Sequence, residues 1–225
     1  MHTLRAVLAI LVLAGPVAAQ ELVSFPTDDG GVVYADLYGS GERGVVLAHG
    51  GRFTKESWAE QAQALSEAGF LTLAIDFRGR GQSRGGLGTT PGGDGAYYDV
   101  LAAVRYLHRR GAHGVSVVGA SFGGGAAARA SVEAAPGEID RIVLIAHSPI
   151  KEPERIKGRK LFITSRDDSS GSGTLRLPSI QDQYERAPEP KELVILDGSA
   201  HAQHMFGTDQ GPRLLSEILR FLSEP

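Results

Sequence analysis

Two segments of this chain place a serine between glycines lying two residues before and two after it: Gly119-Ala120-Ser121-Phe122-Gly123 and Gly81-Gln82-Ser83-Arg84-Gly85. A serine flanked in this way can occupy a turn too sharp for neighbouring side chains, with its hydroxyl held out as a nucleophile. The chain holds 30 glycines, so the pattern alone says little and context must separate the two copies.

Ser121 follows the apolar run Val115-Ser116-Val117-Val118 and precedes Gly124-Gly125-Ala126-Ala127-Ala128-Arg129-Ala130, an order that reads as strand, turn and helix. A helix starting there aims unpaired backbone N–H groups at the reacting centre. Ser83 stands several residues beyond its strand and runs into Gly85-Gly86-Leu87-Gly88, so it reads as a loop residue. A serine hydroxyl is a poor nucleophile at neutral pH; it needs a base beside it and a carboxylate to orient that base.

Seven histidines compete for the part of the base. His108 and His113 precede the strand that leads to Ser121, at the wrong end of a parallel sheet, and His2 lies in the apolar leader. His147 follows a strand and is a candidate to border the pocket. His201 follows the last strand through a Gly-Ser turn, with His204 three residues on as its competitor. The His201/His204 pair has no accompanying carboxylate cluster or cysteine set, so no metal or other cofactor is expected.

The elements that must position these residues are written in the alternation of the chain. Apolar, β-branched runs at 32–37, 45–48, 71–76, 115–119, 141–146, 160–164 and 192–196 read as strands. Helical patterns lie between or after them at 57–67, 98–109, 122–134, 177–185 and 212–222. This order implies an α/β fold with a mostly parallel sheet, helices on both faces and antiparallel opening strands. Ligands of such sheets bind beyond the carboxyl ends of the strands, so residues of a site should stand just after strands.

The chain resembles the α/β-hydrolase superfamily over nearly all of its length from about residue 21. Beside the Ser121 segment, Leu47-Ala48-His49-Gly50-Gly51 resembles the family's His-Gly loop, and Asp76-Phe77-Arg78-Gly79-Arg80-Gly81-Gln82-Ser83 its Asp-x-Arg-Gly-x-Gly-x-Ser loop. Asp197-Gly198-Ser199-Ala200-His201 resembles the turn that carries the catalytic histidine. The resemblance implies Ser121, Asp168 and His201 as catalytic residues, in the chain order expected of the fold. Ser165 stands where the family has glycine at a strand end, which makes Asp168, three residues on, the match and leaves Asp167 as the alternative. The oxyanion hole implied is the N–H of Phe122 with that of Gly51, or of Arg52 if the loop is shifted by one. Arg52 and Phe53 are candidates to line the pocket, and His49 is expected to shape the oxyanion loop.

About a dozen residues separate His147 from the following strand, too few for the helical cap many relatives carry, so an open, uncapped site is expected. The substrate implied is a carboxylic ester, small or exposed on a polymer, with thioesters included. A serine at this position argues against the thiol-based dienelactone hydrolases, which share the small plan. A peptidase or amidase on the same fold, or a binding protein that kept the fold without activity, are the competing readings.

A formal net charge of −3 without runs of like charge argues against nucleic acid as a partner. Residues 1–19 combine Arg5, an apolar run and Val17-Ala18-Ala19 before Gln20, the pattern of a secretory signal peptide. The run is too short for the roughly 20 residues of a membrane span, so export without stable membrane insertion is expected, with residues 20–225 as one domain. The chain contains no cysteine and hence no disulfide.

Overall fold

A computed structural model describes residues 20–87 and 94–224; the expected signal peptide lies outside the described residues. The elements follow in the order β1 (Glu21–Pro26), β2 (Gly31–Tyr38), β3 (Arg43–Ala48), α1 (Ala59–Glu67), β4 (Phe70–Ile75), β5 (Arg84–Gly85) and α2 (Ala96–Arg109). After these come β6 (Gly114–Ala120), α3 (Phe122–Glu133), β7 (Arg141–Ile145), β8 (Arg159–Ser165), α4 (Leu177–Arg186), β9 (Lys191–Leu196) and α5 (Gly211–Ser223). The seven strands and five helices expected from the sequence are present with ends shifted by one or two residues. The sequence pattern misses two strands, β1 and the two-residue β5.

The sheet runs β1-β2-β4-β3-β6-β7-β8-β9, with β5 on β2. The β1–β2, β2–β4 and β2–β5 pairs are antiparallel, and every pair from β4 through β3 to β9 is parallel. The central strands are covered on both sides, which is why runs such as Phe70–Ile75 are buried at every position instead of alternating.

Two cores result. Helices α2, α3 and α4 pack on one face through Val100, Val104, Leu107, Ala127, Ala130 and Ile180. On the other face α1 and α5 seat Leu65, Leu214, Ile218 and Phe221 beside Trp58. Helix α2 shows the sequence logic: buried Ala96, Val100, Ala103 and Leu107 recur three or four apart on a single stripe.

Register decides where the site lies. Ala48 pairs with Gly119, Ala120 with Ile145, Ile145 with Ile163, and Ser165 with Leu196. The parallel strands therefore end on nearly one level, and the residues after each end emerge along one rim. Between β7 and β8 the chain contains only a short 3-10 turn, Pro153–Arg155, so no cap rises there.

Candidate active site

Ser121 stands between the last residue of β6 and the first of α3 with φ 50° and ψ −115°. An alanine or larger residue pays about 1–3 kcal/mol to hold such a conformation, which survives only because its surroundings enforce it. The enforcement is steric. A Cβ on Gly119 would stand 2.5 Å from the Gly123 carbonyl oxygen, and one on Gly123 would overlap the Ala48 backbone. The Ser121 N–H donates to Ile145 O at 2.9 Å, and Ser121 O accepts from Gly125 N at 3.1 Å and Ser148 N at 2.8 Å.

At this turn His201 Nε2 lies 2.8 Å from Ser121 Oγ, and His201 Nδ1 lies 2.6 Å from Asp168 Oδ2. This spacing matches a relay in which the imidazole accepts the hydroxyl proton at Nε2 while its Nδ1–H donates to a carboxylate. Asp168 is fully buried, and its second oxygen, Oδ1, faces Arg176 Nε at 3.4 Å. Asp167 is exposed and meets the histidine turn only through its backbone, its N–H donating to Gly198 O at 2.9 Å. Of the two aspartates the structure thus brings Asp168 to His201. Ser165, in the position of the family's glycine, donates its hydroxyl to Ala200 O at 2.8 Å and ties β8 to the residue before His201. His204 is exposed, its ring 5.1 Å from that of Phe53.

The loop after β3 is pinned from several sides. His49 is 1% exposed; its Nε2 accepts the Phe77 N–H at 3.3 Å, so Nδ1 carries the proton and donates to Gly50 O at 2.8 Å. Burial lowers the His49 pKa to about 4, which keeps the ring neutral. The same Gly50 carbonyl accepts the Phe53 N–H at 3.0 Å. In a trans peptide the C=O and the following N–H point in opposite directions, so fixing Gly50 O fixes the aim of the Gly51 N–H. Gly51 lies against Phe122: a Cβ added there would be 3.6 Å from the Phe122 Cβ, an ordinary contact. Phe122 is the first residue of α3, so its N–H has no partner within the helix. Arg80 donates to Gly51 O and fixes the next peptide in turn.

Gln203 belongs to none of the sequence motifs, yet it joins the two loops. It is 7% exposed; its Oε1 accepts the Gly50 N–H at 2.6 Å and its Nε2 donates to Ser57 Oγ at 2.7 Å. A residue two positions beyond His201 thereby holds the peptide next to Gly51.

The other expectations fall as follows. Arg52 is exposed and Phe53 half-buried beside the loop. His147 is drawn into the core: it is 2% exposed, stacked edge-on to Phe162 at 5.4 Å and backed by α3, where a Cβ on Gly124 would stand 2.6 Å from its own Cβ. Gln183 lies beside its ring but directs its amide to the N–H and C=O of Ile150, and both ring nitrogens lack partners. Burial lowers the His147 pKa to about 4. The residue after it, Ser148, faces outward instead.

Ser83 is 3% exposed, its Oγ accepts the Tyr34 N–H at 2.8 Å, and the next two residues form β5, so the second Gly-x-Ser-x-Gly segment anchors β2. Its loop is held by Arg78, 3% exposed, between Asp29 at 2.5 Å and Asp99 at 2.8 Å.

A cavity of about 620 Å³ opens next to this site, with Phe122, Gly125 and Ser148 on its wall. An uncapped sheet does not therefore mean a flat site. Among the described residues no helix is long and apolar enough to cross a membrane.

Comparison with known proteins gives this arrangement a context. A sequence model of the alpha/beta hydrolase fold matches residues 44–208. A non-heme chloroperoxidase, CPO-A1, from Kitasatospora aureofaciens is 32% identical over 136 residues, which are 60% of this chain. The matched part is 46% of that relative's length, so the similarity spans just under half of it. Esterase Pf2001 of Pyrococcus furiosus is similar in structure with a TM-score of 0.75 at 21% identity, covering 91% of this chain and 92% of that one. A dienelactone hydrolase from Anabaena variabilis has a TM-score of 0.70 at 21% identity, covering 91% and 95%. Esterase RhEst1 from Rhodococcus sp. ECU1013 has a TM-score of 0.71 at 17% identity, covering 90% and 98%.

Proposed function

The chain belongs to the alpha/beta hydrolase fold family, and from that premise we propose that it is a serine hydrolase that cleaves carboxylic esters through an acyl-enzyme intermediate. The observation that carries this reading is the continuous contact from Ser121 Oγ to His201 Nε2 at 2.8 Å and from His201 Nδ1 to Asp168 Oδ2 at 2.6 Å.

In this reading Ser121 Oγ attacks the ester carbonyl carbon while His201 Nε2 takes the hydroxyl proton. The N–H groups of Phe122 and Gly51 receive the charge that builds on the carbonyl oxygen. As the tetrahedral intermediate collapses, the bond to the alcohol oxygen breaks and His201 returns the proton to that oxygen. A water molecule, deprotonated by His201, then attacks the acyl-enzyme and releases the acid together with Ser121. Asp168 holds the imidazole in the required tautomer and balances the imidazolium charge. Small esters, esters exposed on a polymer and thioesters all fit this chemistry. The pattern of residues 1–19 supports export of the enzyme, which N-terminal sequencing after Ala19 would detect.

Ser121→Ala tests the reading. Turnover of 4-nitrophenyl acetate should fall by at least about 10⁴-fold with the fold intact, as expected when a triad serine is lost. Unchanged turnover in the folded variant would refute it. An amide of the same acid should be cleaved far more slowly than the ester, and the opposite preference would favour an amidase.

A further inference from the structure

The cavity beside Ser121 has a composition and a position that point to one part of the substrate. Its wall is formed by the first turn of α2 with Tyr97 and Tyr98, the first turns of α3 with Phe122 and Ala126, and the residues after β7, Pro149 and Ile150 among them. The two tyrosine rings are stacked, with centroids 4.2 Å apart, and the Phe122 ring packs edge-on against Phe77 at 5.0 Å. Arg129, Lys151 and Asp94 also line it, a mixed set of charges that selects for neither sign. Arg129 is further tied to Glu133 at 3.0 Å and lies over the Tyr97 ring at 5.3 Å. What the cavity offers a ligand is therefore apolar and aromatic surface in a volume of the size that holds drug-like groups.

Position fixes which side of the ester the cavity serves. The leaving alcohol must receive its proton from His201 Nε2, so the alcohol lies against the loop after β9. No residue of that loop, and none of the loop after β3, touches the cavity. Gly125 and Ser148, whose N–H groups both bond to Ser121 O, line it on the face of the sheet that α2 and α3 cover, whereas Ala202 and Met205, after His201, pack into the core on the α1/α5 face.

We infer that this cavity is an acyl-binding site built for a bulky, aryl-bearing acyl group, an inference that rests on the ester-hydrolase reading above. The aryl ring lies between the Tyr97/Tyr98 pair and the Ala126 face of α3, and the acyl carbonyl meets Ser121 at the cavity's inner end. Apolar groups gain a factor of about 4 for each methylene-sized unit buried, so an aryl-bearing acyl group outcompetes acetyl by a wide margin.

Three ester probes on the whole protein test this: 4-nitrophenyl acetate, 4-nitrophenyl 3-phenylpropanoate, and 2-phenylethyl acetate, which carries its ring on the alcohol. The kcat/KM for the phenylpropanoate should exceed that for 4-nitrophenyl acetate by at least about tenfold. Ala126→Phe, which narrows the cavity, should abolish that preference by lowering kcat/KM for the phenylpropanoate far more than for either acetate ester. Tyr98→Ala, which removes one wall, should reduce the preference independently, so a failure of Ala126→Phe to fold does not end the test. The inference is overturned if the two 4-nitrophenyl esters are turned over alike, if both variants depress all three probes equally, or if they act on 2-phenylethyl acetate alone. A wild-type protein that cleaves none of the three esters would instead overturn the ester-hydrolase reading from which this one starts.

Discussion

The wall of the site made by the loops after β3 and β9 is stitched together by hydrogen bonds, whereas the wall made by α2, α3 and the residues after β7 is packed from apolar side chains around open space. On the first wall Gly50 is held at both ends, its N–H by Gln203 and its C=O by His49 and Phe53. On the second, the rings of Tyr97, Tyr98 and Phe122 border a cavity of about 620 Å³. Each wall contains a buried neutral histidine, and the two differ in the same way. His49 uses both ring nitrogens, while neither nitrogen of His147 has a partner. Under the proposed function the difference teaches which wall carries the demand for geometry: proton transfer and oxyanion binding would tolerate little displacement, while an apolar subsite would need volume and surface.

The sharpest break in this comparison comes from the hydrogen-bonded wall itself. His201→Ala should lower ester turnover by at least about 10⁴-fold, with circular dichroism unchanged. Asp168→Asn should cost about 10⁴-fold in kcat because the amide favours the wrong imidazole tautomer. Asp167→Asn should stay within about twofold, since the Asp167 side chain does not reach His201. Equal losses for the two aspartates would erase the distinction between them.

Gln203 gives the next effect in size. Gln203→Leu removes the acceptor for the Gly50 N–H and should lower kcat by about 10- to 100-fold with KM little changed, as expected for loss of alignment at a donor that acts in the transition state. Gln203→Glu retains an acceptor for Gly50 and should recover part of that loss. A change in KM alone would show that Gln203 serves only to hold substrate.

The smallest effects are on stability. Burial holds both His49 and His147 at a pKa of about 4, below the 6.5 of the unfolded chain. The folded state needs them neutral while the unfolded state binds the protons more readily. Their contribution is therefore complete above about pH 6.5 and declines as the pH falls toward 4. Thermal melts between pH 7 and pH 4.5 should show this decline. At pH 7, His49→Leu should destabilise by about 1–3 kcal/mol because it strands the Phe77 N–H, whereas His147→Leu should be near neutral and flatten the acid decline. The reverse order would contradict the difference drawn between the walls.

Much of the hydrogen-bonded wall was legible in the sequence because its parts are local. The flanking glycines of Ser121 follow from steric demand across four residues, and the parallel alternation says which residues stand after strands. The choice between Asp167 and Asp168 could not be settled locally, since both stand in the same short turn after β8 and only the tertiary turn decides which carboxylate points inward. The duplicate at Ser83 was separable for a local reason, the missing helix behind it. Strand β1 leaves no clear pattern because it is a partly exposed edge next to the apolar leader, and β5 leaves none because two residues carry no periodicity. Gln203 meets Gly50 across 153 positions, a hydrogen bond that leaves no trace in nearby residues. The cavity wall was equally hidden, for Tyr97, Ala126 and Ile150 belong to no motif and meet only through helix packing. His147 follows its strand as the pattern required, yet it turns under α3 because the glycine at 124 leaves room for it there.

The central claim is that Ser121 is a nucleophile activated by His201, and covalent labelling reads it directly. The wild-type protein treated with a fluorophosphonate probe should carry one adduct, located on Ser121 by peptide mass spectrometry, and His201→Ala should slow its formation by orders of magnitude. An adduct on Ser83, or labelling of Ser121 at the same rate without His201, would contradict the account.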